Sequence, residues 1–82
     1  MNTILSSSVE ERVKAVVAEQ MCVSISDVSS EAHLTADFNA DSLDLIEMIM
    51  AIEDEFGIEI TDEESEKLST VQTLIDCVQR KV

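Results

Sequence analysis

The chain has a single glycine, Gly57, and no proline, tryptophan or tyrosine in 82 residues. That scarcity constrains its fold more than any other feature. Tight hairpin turns need residues that tolerate positive φ, glycine above all, and strands favour aromatic and β-branched side chains. A chain without these is poorly equipped for a sheet, so the expectation is an all-α fold. Apolar residues make up 45% of the sequence, enough to bury a core and unlike a disordered acidic tail. The length suits one domain spanning residues 1–82.

Apolar spacing divides the chain into helices. Val9, Val13, Val16 and Val17 fall on one face of a helix over about Val9 to Met21, with Ser8–Glu11 or Ser7–Glu10 as a capping box. Cys22 to Ala40 shows no sustained period. Val23, Ile25, Val28, Leu34 and Phe38 are spaced there among polar residues and are expected to pin a long loop, with a short helical turn inside it. A second helix is predicted from Ser42 to Phe56, stopped by Gly57. Thr61 to Glu64 reads as the capping box of a short third helix ending near Lys67 or Leu68. Ser69 or Thr70 then caps a last helix with Val71, Leu74, Ile75 and Val78 on one face. The predicted architecture is a small four-helix bundle, three longer helices and one short, with a long loop between the first and second.

The formal net charge is −13, and it is unevenly distributed. From Asp27 to Glu66 there are fourteen acids and no Lys or Arg. The basic residues Arg12, Lys14, Lys67, Arg80 and Lys81 lie toward the two ends. Nucleic acid and anionic membranes are excluded as natural partners, because phosphate binding needs clustered cations. Basic protein surfaces are the complement of such a field. Cys22 and Cys77 are far apart, form no CxxC pair, and read as small buried hydrophobes in a reducing, cytoplasmic setting. No apolar run approaches a membrane span, and MNTILSSS lacks the basic flank and apolar stretch of a signal peptide.

The second helix carries two apolar stripes. On a helical wheel with Leu45 at zero, Ile49, Ile52 and Phe56 fall within about 40° and Met48 flanks them. That stripe is expected to face the core. Leu43, Ile46 and Met50 fall at roughly 100–160° and are bordered by Glu47, Glu53 and Asp54, while Asp44 and Glu55 lie on the opposite flank. The second stripe either packs under the long loop or forms a docking surface with an apolar centre and an acidic rim.

Asp41-Ser42 opens this helix, and one of the two serves as its N-cap. Ser42 is not expected to be a catalytic nucleophile: His33, the only histidine, reads as a loop residue, and no glycine-rich elbow or basic oxyanion partner accompanies the serine. Asp37, Asn39 and Asp41 imitate the opening of an EF-hand. Ser42 then stands where glycine is needed and Met48 where a bidentate glutamate is needed, so only diffuse, weak divalent binding is expected and no dedicated metal site.

Together these residues resemble a known family. Asp41-Ser42-Leu43-Asp44, followed by Ile46-Glu47, Met50 and Glu53-Asp54-Glu55-Phe56, resembles the signature of the acyl carrier proteins of dissociated fatty-acid synthesis. Val9 to Val13 resembles that family's first helix, and Thr61 to Val71 its third helix and the approach to its fourth. The resemblance implies that Ser42 is the attachment point of 4′-phosphopantetheine, installed from coenzyme A by a phosphopantetheinyl transferase. It implies a non-catalytic, monomeric carrier of acyl thioesters. Asp41, Leu43, Asp44, Ile46, Glu47, Met50, Glu53 and Asp54 would contact the basic patches of fatty-acid synthesis enzymes, and Leu45, Ile49, Ile52 and Phe56 would help line a space that shelters acyl chains. The sequence has Asn39, Phe38, Thr61 and Cys77 where the family commonly has Gly, Leu, Pro and an aromatic residue. Asn is the least costly replacement if position 39 needs positive φ. A carrier of polyketide or other acyl groups, or an unmodified acidic helical adaptor, would use the same surface.

Overall fold

The computed structural model describes residues 8–82; the Ser7–Glu10 capping alternative lies outside them. Among the described residues four α-helices follow in order: α1 (Val9–Met21), α2 (Ser42–Phe56), α3 (Asp62–Glu66) and α4 (Val71–Lys81), with one 3-10 turn at Ile25–Asp27. Among the described residues there is no strand, only an isolated bridge between His33 and Thr70. The all-α bundle read from the sequence is the fold observed.

Each α-helix starts at a reciprocal capping box. Ser8 pairs with Glu11, Asp41 with Asp44, Thr61 with Glu64 and Thr70 with Thr73. In each, a side chain takes an amide left over by the first turn, and the third helical residue returns the bond. Thr61 performs this with its hydroxyl, which accepts from the Glu64 amide at 3.1 Å. Among the described residues three left-handed ones end helical segments: Cys22 (φ 59), Asn39 (φ 55) and Gly57 (φ 65). Each is followed by an amide that reaches back five residues: Val23 to Ala18 O at 3.0 Å, Ala40 to Thr35 O at 2.9 Å and Ile58 to Glu53 O at 3.2 Å. This is the Schellman pattern, which satisfies carbonyls at a helix end. A Cβ at Gly57 would meet nothing within 4 Å, so glycine is needed there for its φ and not for space.

The core lies where α1 packs on α2 and α4. Val13, Val17, Met48, Ile52, Val71, Leu74 and Val78 are completely buried, and among the described residues no polar side chain is buried with them. Met48, expected to flank the α2 core stripe, is at its centre, while Leu45 and Phe56 are half-buried against the cluster. Phe38 packs on the same cluster, and Cys77 is 2% exposed.

The long loop is pinned by fewer side chains than expected. Val28 and Leu34 are buried, but Val23 is 36% and Ile25 51% exposed. Val23 is already tied to α1 through its amide. The 3-10 turn closes with the Val28 amide on Ile25 O at 3.1 Å, which delivers Val28 to the core and leaves Ile25 outside. Cys22 is also exposed, contrary to the expectation for a cysteine, because it occupies the left-handed position at the surface end of α1. Backbone bonds do the remaining work: Leu34 donates to Ser69 O, Val71 to Ala32 O and Gln72 to Ser30 O, at 2.8, 3.0 and 2.9 Å. Two loop carbonyls thus accept from the first amides of α4 and hold the loop against that helix.

Candidate functional site: the head and outer face of α2

Asp41 is the N-cap of α2. Its Oδ1 accepts from the Asp44 amide at 3.0 Å, and Asp44 Oδ2 accepts from the Asp41 amide at 3.2 Å. This arrangement leaves Ser42 as the first helical residue, exposed to solvent. Its side chain makes no hydrogen bond within the described residues, and neither do the Ser42 and Leu43 amides. Unused amides at the positive end of a 15-residue helix favour a covalently attached phosphate. The Asp41 carboxylate opposes that charge, but it is committed to the cap.

An open groove of about 470 Å³ runs beside Ser42, lined by Thr35, Ala40, Asp41, Leu45, Ile46, Ser65 and Glu66. A smaller one of about 150 Å³ shares Ile46 and Ser65 and continues along Ile49, Met50, Glu53, Ile60 and Asp62. The space at the serine is therefore large enough to accept a slender substituent, and apolar α2 side chains line one wall. Thr35, Ala40, Ser65 and Glu66 escaped the sequence reading. They reach the groove only because tertiary packing brings the loop and α3 to the head of α2, and no local pattern marks them.

The outer stripe of α2 is uncovered. Leu43, Ile46 and Met50 are 62%, 54% and 57% exposed, so the loop does not pack over them. The acids differ among themselves. Asp41 and Asp44 are held in their mutual cap. Glu53 is half-buried, and its Oε2 accepts from the Ile60 amide at 2.7 Å, tying α2 to the α2–α3 linker. Glu55 is taken by Arg12, whose Nε and Nη2 lie 3.2 and 3.1 Å from its Oε2. Nη2 also donates to Glu55 O, and the guanidinium sits 4.4 Å from the Phe56 ring centre. Glu47 and Asp54 are exposed and have no partner among the described residues. Among the described residues no cluster of three or more His, Cys, Asp or Glu could hold a metal ion. Asp37 and Asp41, the two acids of the EF-hand-like run, are engaged with backbone amides.

The fold and this site define a class of protein that carries a prosthetic group. The family model described as "Phosphopantetheine attachment site" matches residues 11–78, and the group for which the site is named is 4′-phosphopantetheine. The chain is also similar to the acyl carrier protein of Thermosynechococcus vestitus (strain NIES-2133 / IAM M-273 / BP-1). The two are 54% identical over 76 residues, which is 93% of this chain and 94% of the relative. The chain belongs to the acyl carrier protein family.

Proposed function

We propose that this protein carries acyl groups for fatty-acid synthesis on a 4′-phosphopantetheine arm joined to Ser42, and that residues 1–82 act as one carrier domain. The observation that carries the reading is the Ser42 side chain: exposed, without a hydrogen bond among the described residues, at the first position of α2 and beside the larger groove. When bound, the arm supplies a distal thiol that holds acyl cargo as a thioester. The protein's own residues present the anchoring hydroxyl, leave the first α2 amides open toward the linking phosphate, and offer a surface to partner enzymes.

Among the described residues no base is bonded to Ser42. His33 Nδ1 already accepts from the Thr35 and Ala36 amides. On this reading a separate transferase supplies the base that removes the serine proton, and the carrier itself catalyses nothing. Docking is carried by Leu43, Ile46 and Met50 at the centre, with Asp41, Asp44, Glu47, Glu53 and Asp54 as the acidic surround. All five acids keep their charge toward a partner; Glu47 and Asp54 differ in serving no local bond among the described residues. Partners are the transferase and fatty-acid synthesis enzymes with basic patches, met by a monomeric carrier in the cytoplasm. Among the described residues no helix is long and apolar enough to cross a membrane.

Incubating the unmodified protein with coenzyme A and a broad-specificity phosphopantetheinyl transferase, then weighing it intact, tests the assignment. One phosphopantetheinyl increment on the parent and none on Ser42→Ala is expected. No increment on the parent, or one that survives the substitution, would remove the reading.

A further inference from the structure

The histidine that reads as a featureless loop residue sits at the start of a small structured turn leading to the attachment serine. His33 O accepts from the Asp37 amide at 3.3 Å, so Leu34 to Phe38 form a single helical turn. At its head, His33 Nδ1 accepts from the Thr35 amide at 3.4 Å and the Ala36 amide at 3.3 Å, with Thr35 Oγ1 at 3.2 Å. Asp37 Oδ2 closes the box by accepting from the His33 amide at 2.6 Å. At its foot, Asn39 takes the left-handed conformation and Ala40 donates back to Thr35 O. The turn is thus capped at both ends, the head by an imidazole in the role usually filled by Ser, Thr, Asp or Asn.

The turn's position gives this cap a consequence. Leu34 is anchored to the linker just ahead of α4 through Ser69 O, and Thr35 and Ala40 line the groove beside Ser42. Ala40 is joined directly to Asp41, the cap of α2. Losing the acceptor at residue 33 leaves two amides of a one-turn element with only water as partner, and a single turn has almost no intrinsic stability to spare. Resting on the reading of Ser42 as the attachment site, we propose that His33 is a positioning residue for phosphopantetheine transfer. Its Nδ1 keeps the 34–40 turn ordered, so that the transferase meets a preformed wall beside Ser42. A turn that must be ordered during encounter adds its cost to binding and leaves the chemical step unchanged.

The test compares His33→Ala with His33→Asn, whose side-chain carbonyl can accept from the same amides. Steady-state transfer from coenzyme A, followed by intact mass, gives KM and kcat. Amide exchange at Thr35, Ala36 and Ala40 reports the turn directly. Expected for His33→Ala are a KM raised roughly three- to tenfold, comparable to losing a helix cap, unchanged kcat and loss of protection at the three amides. His33→Asn should restore KM to within about twofold, on the same cap ranking, and restore protection. A uniformly weakened fold would lower the melting temperature without this split, because the protein stays folded at the assay temperature. A folded His33→Ala with parental KM, or a His33→Asn as impaired as the alanine variant, would overturn the inference while leaving attachment at Ser42 intact. Failure of the parent to gain mass would instead remove the attachment reading, and this inference with it.

Discussion

Ile46→Ala and Ile52→Ala delete the same atoms from the same helix, six residues apart, and should have opposite effects. Ile52 is completely buried and Ile46 is 54% exposed. At Ile52 the deletion removes buried methyl groups and leaves a cavity, a combination that costs about 2–5 kcal/mol. Unfolding entropy of about 2.1 cal/mol/K per residue corresponds to ~0.17 kcal/mol per degree for a chain of this length. A loss of about 3 kcal/mol therefore lowers Tm by roughly 17 °C, a large part of the ~4–12 kcal/mol available to such a domain. At Ile46 little packing is lost, and alanine is the better helix former. Its Tm should stay within about 3 °C of the parent, the range of an ordinary surface substitution. Docking should respond the other way. Covering the exposed half of an isoleucine contributes about 1 kcal/mol, so Ile46→Ala should weaken partner binding about fivefold. Circular dichroism melts and titration of a partner enzyme measure both effects. A Tm drop above about 8 °C for Ile46→Ala, well outside the surface range, would show that the outer stripe packs on the protein, and the two-face reasoning would fail.

Three further outcomes are expected. Asn39→Ala should lower Tm by roughly 6 °C, since a left-handed φ costs alanine about 1 kcal/mol or more; Asn39→Gly should leave it nearly unchanged, and equal losses would refute the conformational argument. The Glu64 carboxyl is held down from 4.5 to about 2, chiefly by the Thr61 amide and then by Lys81, 2.9 Å away. Because its pKa is lower folded than unfolded, it stabilises the fold above about pH 4.5 and loses that contribution as pH falls toward 2; Glu64→Gln should thus melt below the parent at pH 7, with the gap closing in acid. Finally, repulsion among fourteen acids without a cation between Asp27 and Glu66 should make Tm rise by several degrees as ionic strength goes from about 10 to 150 mM, and a flat melt series would show the acids to be already compensated.

Helix positions and the two-sided character of α2 were legible in the sequence because they depend on local signals. Capping boxes at Ser8, Asp41, Thr61 and Thr70 each sit within four residues, and the period of an α-helix sorts Ile52 from Ile46. Gly57 was legible for a related reason: few residues tolerate positive φ, and a lone glycine announces the geometry; Asn39 was legible only through the family resemblance, which commonly has Gly at that position. Cys22 adopts the same geometry without announcing it, and was misjudged as buried. The exposure of Val23 and Ile25 was hidden because backbone bonds, which carry no side-chain signature, hold that part of the loop. The groove walls at Thr35, Ala40, Ser65 and Glu66 depend on the tertiary meeting of loop, α2 and α3, and no spacing rule reports such a meeting.

The charge field divides into two working parts once its bonds are known. Arg12 neutralises Glu55, fixes a terminal carbonyl of α2 and stacks on Phe56, so one cation closes the far end of the helix onto α1. Glu53 holds the linker, and Asp41 with Asp44 holds the head. These acids contribute to the fold locally, and reversing any of them removes a bond as well as a charge. Among the described residues Glu47 and Asp54 hold nothing, and they lie beside the exposed stripe. Charge reversal at these two positions should therefore slow partner association, most clearly at low salt, while leaving Tm the same or higher because repulsion is relieved. Reversal at Glu53 should lower both. If all three positions behaved alike in melts and in association rates, long-range field alone would govern the surface, and the distinction between holding acids and docking acids would have no physical basis.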